Sequence, residues 1–341
     1  MTRAPYLNQP SESNPLKADI FVSENQGDYA DLWNDNNYPD GSGAHVAAQF
    51  TSKTGPGFAD VVQWPMDPDT ELYFVGTSPQ NAFVLDTPKQ KGDPVEIATA
   101  AVTGYKDLLY TGEESAHKKS GGVVPLTFLH TQVLCKLYLR AESSQAITNW
   151  GKLTKAEVTA ADYETGTGTK LAGIPKELVL TLANGGIELG TTPLTELSFY
   201  KMDNSGMQEM YTDDAVDGKD VDNVDVKLST SKDLALGYVM IPVDVEAANN
   251  TTGIVPTRLR LQALKLRLTS ETYSGNKGEM APATTIVDIT QAGTVGGKVI
   301  GTSGTAVNIF LKLRENGGIE FTKVTVAEWG KVGSVTGEIG G

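Results

Sequence analysis

Over residues 133–140 apolar and polar side chains alternate, with Val133, Cys135, Leu137 and Leu139 on one parity and Lys136, Tyr138 and Arg140 on the other. A period of two predicts a strand with one side against a core. Just upstream, Leu126 and Phe128 have the opposite parity, so the alternation slips between Leu129 and Gln132. A bulge or a local bend is the simplest physical cause. The segment before it, EESAHKKSGG at 113–122, is polar, charged and closed by two glycines, a composition that cannot build a core and reads as a linker. Residues 133–140 then open a second domain, and the chain divides into an N-terminal β-sandwich at 1–121 and a C-terminal one at 122–341.

The same grammar runs through the rest of the chain. Residues 1–45 are rich in Asn, Asp, Ser, Pro and Gly, broken by one apolar stretch, Ile20, Phe21 and Val22, that predicts a strand within loop. Short apolar segments follow at 45–50, 61–64, 72–75, 83–85, 95–99 and 108–110, separated by turn formers such as Gly55-Pro56-Gly57. Leu178, Leu180 and Leu182 alternate before Asn184-Gly185-Gly186, which predicts a hairpin into 187–189. Residues 194–200 predict another strand. Residues 234–243 are apolar on both parities, as in a strand buried on both sides, and Pro242 should end it. Leu259, Leu261 and Ala263 give way to Leu264, Leu266 and Leu268, a second parity slip. Residues 307–314 and 319–329 predict a hairpin around Glu315-Asn316-Gly317-Gly318. A helix is compatible with 143–150 and with 153–163, neither strongly amphipathic. Regular short strands with turns between them predict an all-β chain of sandwich or barrel type.

A length of 341 residues allows two or three domains. The net charge of −14 argues against a nucleic-acid partner or an anionic membrane surface, both of which need a basic patch. The single cysteine, Cys135, excludes an intrachain disulfide and a thiolate zinc cluster. No apolar run approaches the ~18 residues of a membrane span, and the first residues lack the apolar stretch of a secretory signal. The chain therefore reads as cytosolic or as a mature form whose signal was removed. His45, His117 and His130 are scattered, and Cys135 lies on the apolar parity of its strand with no base beside it in sequence. The one dense carboxylate run, Asp213, Asp214, Asp217, Asp220, Asp222 and Asp225, fails the calcium-loop spacing because Ala215 and Val224 occupy the third and twelfth positions, and it reads as a solvated loop. No phosphate loop or nucleophile elbow is present. No catalytic, cofactor-binding or metal-binding residue is predicted, and no enzyme.

With these strands placed, the chain resembles the fimbrillins, the subunits of type V pili of Gram-negative anaerobes. The resemblance rests on Trp64-Pro65, on Leu72-Tyr73-Phe74-Val75 leading to Pro79, and on Asp107-Leu108-Leu109-Tyr110. It continues in Val124-Pro125-Leu126-Thr127-Phe128-Leu129-His130 followed by Lys136, in Tyr238-Val239-Met240-Ile241-Pro242, and in Val324-Thr325-Val326-Ala327-Glu328-Trp329 followed by Val332-Gly333. Thr111, Cys135 and Val243 depart from the family's usual residues. The resemblance implies two transthyretin-like β-sandwiches in tandem, export as a lipoprotein precursor to the outer membrane, and polymerisation by donor-strand exchange after an N-terminal strand is cut away. The membrane would be met only through the lipid anchor. The displaced strand falls on Ile20, Phe21 and Val22. Arg3 is a possible processing site, although a cut there would retain that strand, and its loss needs a cut further on. The donor segment falls on Val332, Val335 and Ile339. Partners are then other pilus subunits and ligands on host or bacterial surfaces. The competing reading is an all-β surface lipoprotein that binds carbohydrate or another ligand, with Trp33, Tyr38 and Trp150 as candidate stacking residues.

Overall fold

The structure, a computed structural model, describes residues 2–3, 16–29, 46–50, 56–58, 65–85, 97–120, 123–165, 170–182, 186–201, 211–212, 228–243, 259–275, 280–295, 298–327, 329 and 334–338. The fold is all-β and sandwich-like, with one α-helix among the described residues. The first sheet runs in the order Leu129–His130, Leu109–Tyr110, Glu71–Ser78, Leu16–Ser23, Val46–Phe50 and Pro56–Phe58, with Glu114–His117 also paired to Glu71–Ser78. Its Leu16–Ser23 strand is buried on both faces. Phe21 and Val75 join a core with Phe83, Ala98 and Ala100, while on the other face Ile20 and Phe128 close over Gly76, where an added Cβ would lie 2.8 Å from the Phe128 ring.

A four-stranded sheet in the order Gly186–Leu189, Glu177–Thr181, Ile97–Ala101, Phe83–Leu85 packs into the same core. The hairpin predicted around Asn184-Gly185-Gly186 is there, and its first strand pairs antiparallel with Ile97–Ala101. Val123–Thr127 in turn pairs antiparallel with Ser334–Glu338. The four-stranded sheet, and the first sheet through Leu129–His130, therefore draw strands from both sides of residue 121.

Behind them lies a sandwich of two further sheets. One runs Tyr200–Lys201, Leu234–Pro242, Gln132–Ala141, Ala306–Leu313, Ile319–Ala327, and the other Lys170–Ala172, Leu153–Thr165, Leu259–Ser270, Ala283–Asp288. Val133, Cys135, Leu137 and Leu139 point between them, as their alternation requires. The parity slip ahead of this strand is a change of sheet: Leu129–His130 pairs with Leu109–Tyr110 in the first sheet, and after Thr131 the chain enters the five-stranded one. The second slip is a bulge, since Leu261 pairs with Tyr163 and Ala263 with Asp162, leaving Gln262 over.

Two expectations are corrected. The segment 113–122 is not a free linker, because Glu114–His117 is a strand with Ala116 buried, and Glu113 Oε1 accepts hydrogen bonds from Gly27 N–H (2.8 Å) and Tyr29 O–H (3.0 Å). Edge pairing uses backbone groups and needs little apolar composition. Residues 153–163 are not helical, being part of Leu153–Thr165, which pairs along its length with Leu259–Ser270. A helix does form at Ser144–Trp150, capped by Ser143 Oγ accepting from Ala146 N–H at 3.1 Å.

Facing solvent on the Leu153–Thr165 sheet, Glu157 is buried under Lys155 and Arg267, which also pair with Glu196. Arg267 Nε donates to Glu157 Oε2 at 2.7 Å, and Lys155 Nζ to Glu196 Oε1 at 3.0 Å. The hydrogen bond from Lys155 is the largest influence holding the Glu196 carboxyl below its usual range. A depressed carboxylate adds stability that is present above its unfolded pKa and lost as pH falls through the folded value. Urea melts of the wild type should therefore show stability dropping below about pH 4, and Glu196→Gln should flatten that limb. Parallel pH profiles for the two proteins would refute this.

Candidate functional site

The Leu16–Ser23 strand is the best-held strand of the first sheet. Leu16, Lys17, Ala18, Asp19 and Ile20 pair with Val46–Phe50, and Asp19 to Ser23 pair on the other side with Glu71–Ser78. Hydrogen bonds lock this stagger. Asn81 N–H donates to Asp19 Oδ2 at 2.5 Å, Ser78 Oγ donates to Lys17 O at 2.8 Å, and Ser23 Oγ bonds to Asp28 O. Gly76, opposite Ile20, donates its N–H to Thr111 Oγ1 at 2.7 Å. Ile20, Phe21 and Val22 are all buried. Withdrawing the strand would leave two rows of unpaired backbone groups over an apolar floor, the arrangement that accepts an added strand.

Of the other residues singled out in the sequence, Val335 lies in Ser334–Glu338, in register with Leu126 of Val123–Thr127. Val332 and Ile339 lie outside the described residues, as do Trp33, Tyr38 and the acidic run 213–225. Arg3 belongs to a short pairing of Thr2–Arg3 with Tyr211–Thr212 and precedes the Leu16–Ser23 strand, which a cut there would retain. Trp150 cannot stack on a ligand: it is fully buried, its indole N–H donates to Arg314 O at 2.9 Å, and its ring meets Tyr273 at 4.8 Å. Cys135 is likewise enclosed in the core, and burial pushes its thiol pKa up, away from a nucleophilic thiolate.

Two clusters were not anticipated. At the crossing between sheets, His130 Nδ1 and Asp107 Oδ1 form a buried hydrogen bond of 2.9 Å, and the imidazole lies 4.0 Å from the Trp329 ring. Leu108 N–H donates to Gln132 Oε1 at 2.9 Å, and Ser303 Oγ bonds to His130 O. The position of His130 at the parity slip was the only sequence signal for this junction. Asp107 gave none, because the contact spans 23 residues of chain.

The second cluster is on the other face of the five-stranded sheet, beside a smaller core that holds Leu134, Tyr238 and Met240. Pairing places Ala235, Tyr138, Phe310 and Lys323 in one row across four strands, and Tyr238, Lys136, Asn308 and Thr325 in the next. Tyr138 and Phe310 stack at 5.0 Å, and Lys323 Nζ sits 4.6 Å from the Phe310 ring centre. Arg140 lies two residues along from Tyr138, with its Nε 3.8 Å from Asp233. The outward parity of 133–140 was legible, but its row partners come from strands more than ninety residues away by pairing. Among the described residues no group of three or more His, Cys, Asp or Glu is placed to hold a metal ion.

No protein-family model matches the sequence, and no curated protein matches it. Solved structures with a similar course of chain include a candidate cell adhesion protein from Bacteroides uniformis, at 13% identity over 96% of this chain and 95% of the other, with a TM-score of 0.47. A fimbrial protein from Bacteroides vulgatus matches at 14% identity over 95% and 93%, with a TM-score of 0.37. A candidate polysaccharide binding protein from Bacteroides thetaiotaomicron matches at 10% identity over 91% and 90%, with a TM-score of 0.35.

Proposed function

We propose that this chain is a structural, non-enzymatic subunit of a cell-surface fimbria, joined to its neighbours by strand exchange and contributing to adhesion. The observation that carries the reading is the placement of Ile20, Phe21 and Val22 in a strand flanked on both sides and buried on both faces. Such a strand, once lost, leaves a slot one strand wide that only another extended segment can fill. The resemblance to fimbrillins supports the rest of the reading: two transthyretin-like sandwiches divided near residue 121, a lipidated precursor exported to the outer membrane, and partners that are other pilus subunits or surface ligands.

In this reading the donor is the C-terminal segment of a neighbouring copy, with Val332, Val335 and Ile339 supplying apolar side chains. It must first leave Val123–Thr127 of its own chain, where Ser334–Glu338 is paired. A cut at Arg3 retains Leu16–Ser23, whereas removal of residues 1–45 takes that strand and leaves Val46–Phe50 as one wall of the slot. Size-exclusion chromatography with light scattering should find the intact chain monomeric, the chain without residues 1–45 oligomeric, and the chain lacking both 1–45 and 330–341 monomeric again. A shortened chain that stays folded and monomeric, or a doubly shortened one that still forms oligomers, would sink strand exchange by these segments.

A further inference from the structure

We infer that a second copy of the chain enters the slot in one register, with Val335 in the place of Leu16, Glu338 in the place of Asp19 and Ile339 in the place of Ile20, running in the same direction as the strand it replaces. This rests on the strand-exchange reading and adds the residues that set its register. The strand now in the slot shows what each place demands. Leu16, Ala18, Ile20 and Val22 share one parity and are buried, and the Ile20 side chain and the Phe128 ring both lie over Gly76. On the other parity the buried Asp19 carboxylate accepts from Asn81 N–H at 2.5 Å. Places 16–20 therefore ask for a branched aliphatic, a polar residue, a small one, an acid and an isoleucine.

Val335, Thr336, Gly337, Glu338 and Ile339 answer that order place by place. Both bordering strands, Val46–Phe50 and Glu71–Ser78, run antiparallel to Leu16–Ser23, so a donor in the same direction restores both ladders. Glutamate carries one methylene more than aspartate and presents the same charged acceptor to Asn81 N–H. Reversing the segment puts Thr336 in the place of Asp19 and Glu338 in that of Lys17, which removes the carboxylate from Asn81. A slip of one place turns Val335 and Ile339 to the wrong face. A slip of two sets either Ile339 or Val335 in the place of Ala18, which is fully buried and has no room for a larger side chain. Beyond Ile339, Gly340 and Gly341 stand where Phe21 and Val22 were, so the donor leaves the Phe21 ring site empty and is held less tightly than the strand it displaces.

The test uses the full chain with a protease site placed between Tyr29 and Val46, cut so that both pieces remain, the first carrying a dye. Peptides are titrated in and release of the dyed piece is followed by fluorescence anisotropy. A peptide copying residues 14–24 should release it at the lowest concentration, and one copying 331–341 should need about tenfold more or higher. Within the second peptide, Ile339→Asp should abolish release, Glu338→Ala should weaken it several-fold, and Glu338→Asp and Thr336→Ala should leave it unchanged. Release by 14–24 but not by 331–341 would overturn the inference and leave strand exchange standing with another donor. Release by 331–341 that neither Ile339→Asp nor Glu338→Ala weakens would overturn the register alone. If neither peptide releases the piece from a folded cut chain, strand exchange and the inference fall together. Should the first piece leave unaided, the same peptides are ranked by the melting temperature they restore, with the same order expected.

Discussion

Leu137→Ala should lower stability by about 2–5 kcal/mol in denaturant melts. The side chain is fully buried between the two large sheets. Its strand neighbours are Gly237 on one side and Ile309 on the other. Glycine brings no side chain to fill a void, so the space left by three lost carbons stays open on that flank, which favours the upper part of the range. The strand is also pinned by pairing on both edges, parallel to Ala306–Leu313 and antiparallel to Leu234–Pro242, and cannot slide inward to collapse the cavity. A loss within about 0.5 kcal/mol, the size of an ordinary surface change, would mean that Leu137 does not face this core.

Gly301→Ala is expected to be at least as damaging, at about 4 kcal/mol or more. Gly301 has φ +92, and a Cβ there would come within 2.1 Å of the Leu261 carbonyl oxygen. That oxygen belongs to the backbone of a central strand, so it cannot swing aside as a side chain could. Gly301 O also accepts from Leu261 N–H at 2.9 Å, and Arg260 Nε donates to the neighbouring Ile300 O at 3.0 Å, so relief of the clash would break the docking of this turn onto the sheet. Gly293→Ala supplies the comparison. It has φ +82 with nothing within 4 Å of the added Cβ, so only backbone strain of about 1–3 kcal/mol applies. Equal losses for the two variants would show that the close approach of Gly301 to Leu261 is not present in solution.

What could be read from the sequence was whatever is local. Leu178, Leu180 and Leu182 alternate up to a glycine turn, and the hairpin follows; Ala306–Leu313 and Ile319–Ala327 pair around Glu315-Asn316-Gly317-Gly318 in the same way. Both parity slips marked real events, yet the pattern was identical for a bulge at Gln262 and a change of sheet at Thr131. Periodicity reports which side of a strand is wet, not which sheet the strand has joined. The same limit hid the pairing of Ile97–Ala101 with Glu177–Thr181 and of Val123–Thr127 with Ser334–Glu338, since backbone ladders carry no residue code. Glu114–His117 was missed because its polar side chains resemble those of a loop while its backbone completes an edge. At the Leu16–Ser23 strand only the three apolar residues Ile20, Phe21 and Val22 stood out; Asp19 and Ser23, buried through hydrogen bonds, did not.

The pairing of Val123–Thr127 with Ser334–Glu338 also sets a timetable for the chain as it is made. Val123–Thr127 must wait for a partner made much later in the chain, and Ile97–Ala101 must wait for Glu177–Thr181. Until then the nascent chain carries strands with open edges, and long-range pairings of this kind close slowly because loop entropy is lost before any contact repays it. Val123–Thr127 therefore completes its ladder long after it has been made. Until Ser334–Glu338 arrives, that open edge can pair with strands of other chains, the hazard that a holding chaperone removes.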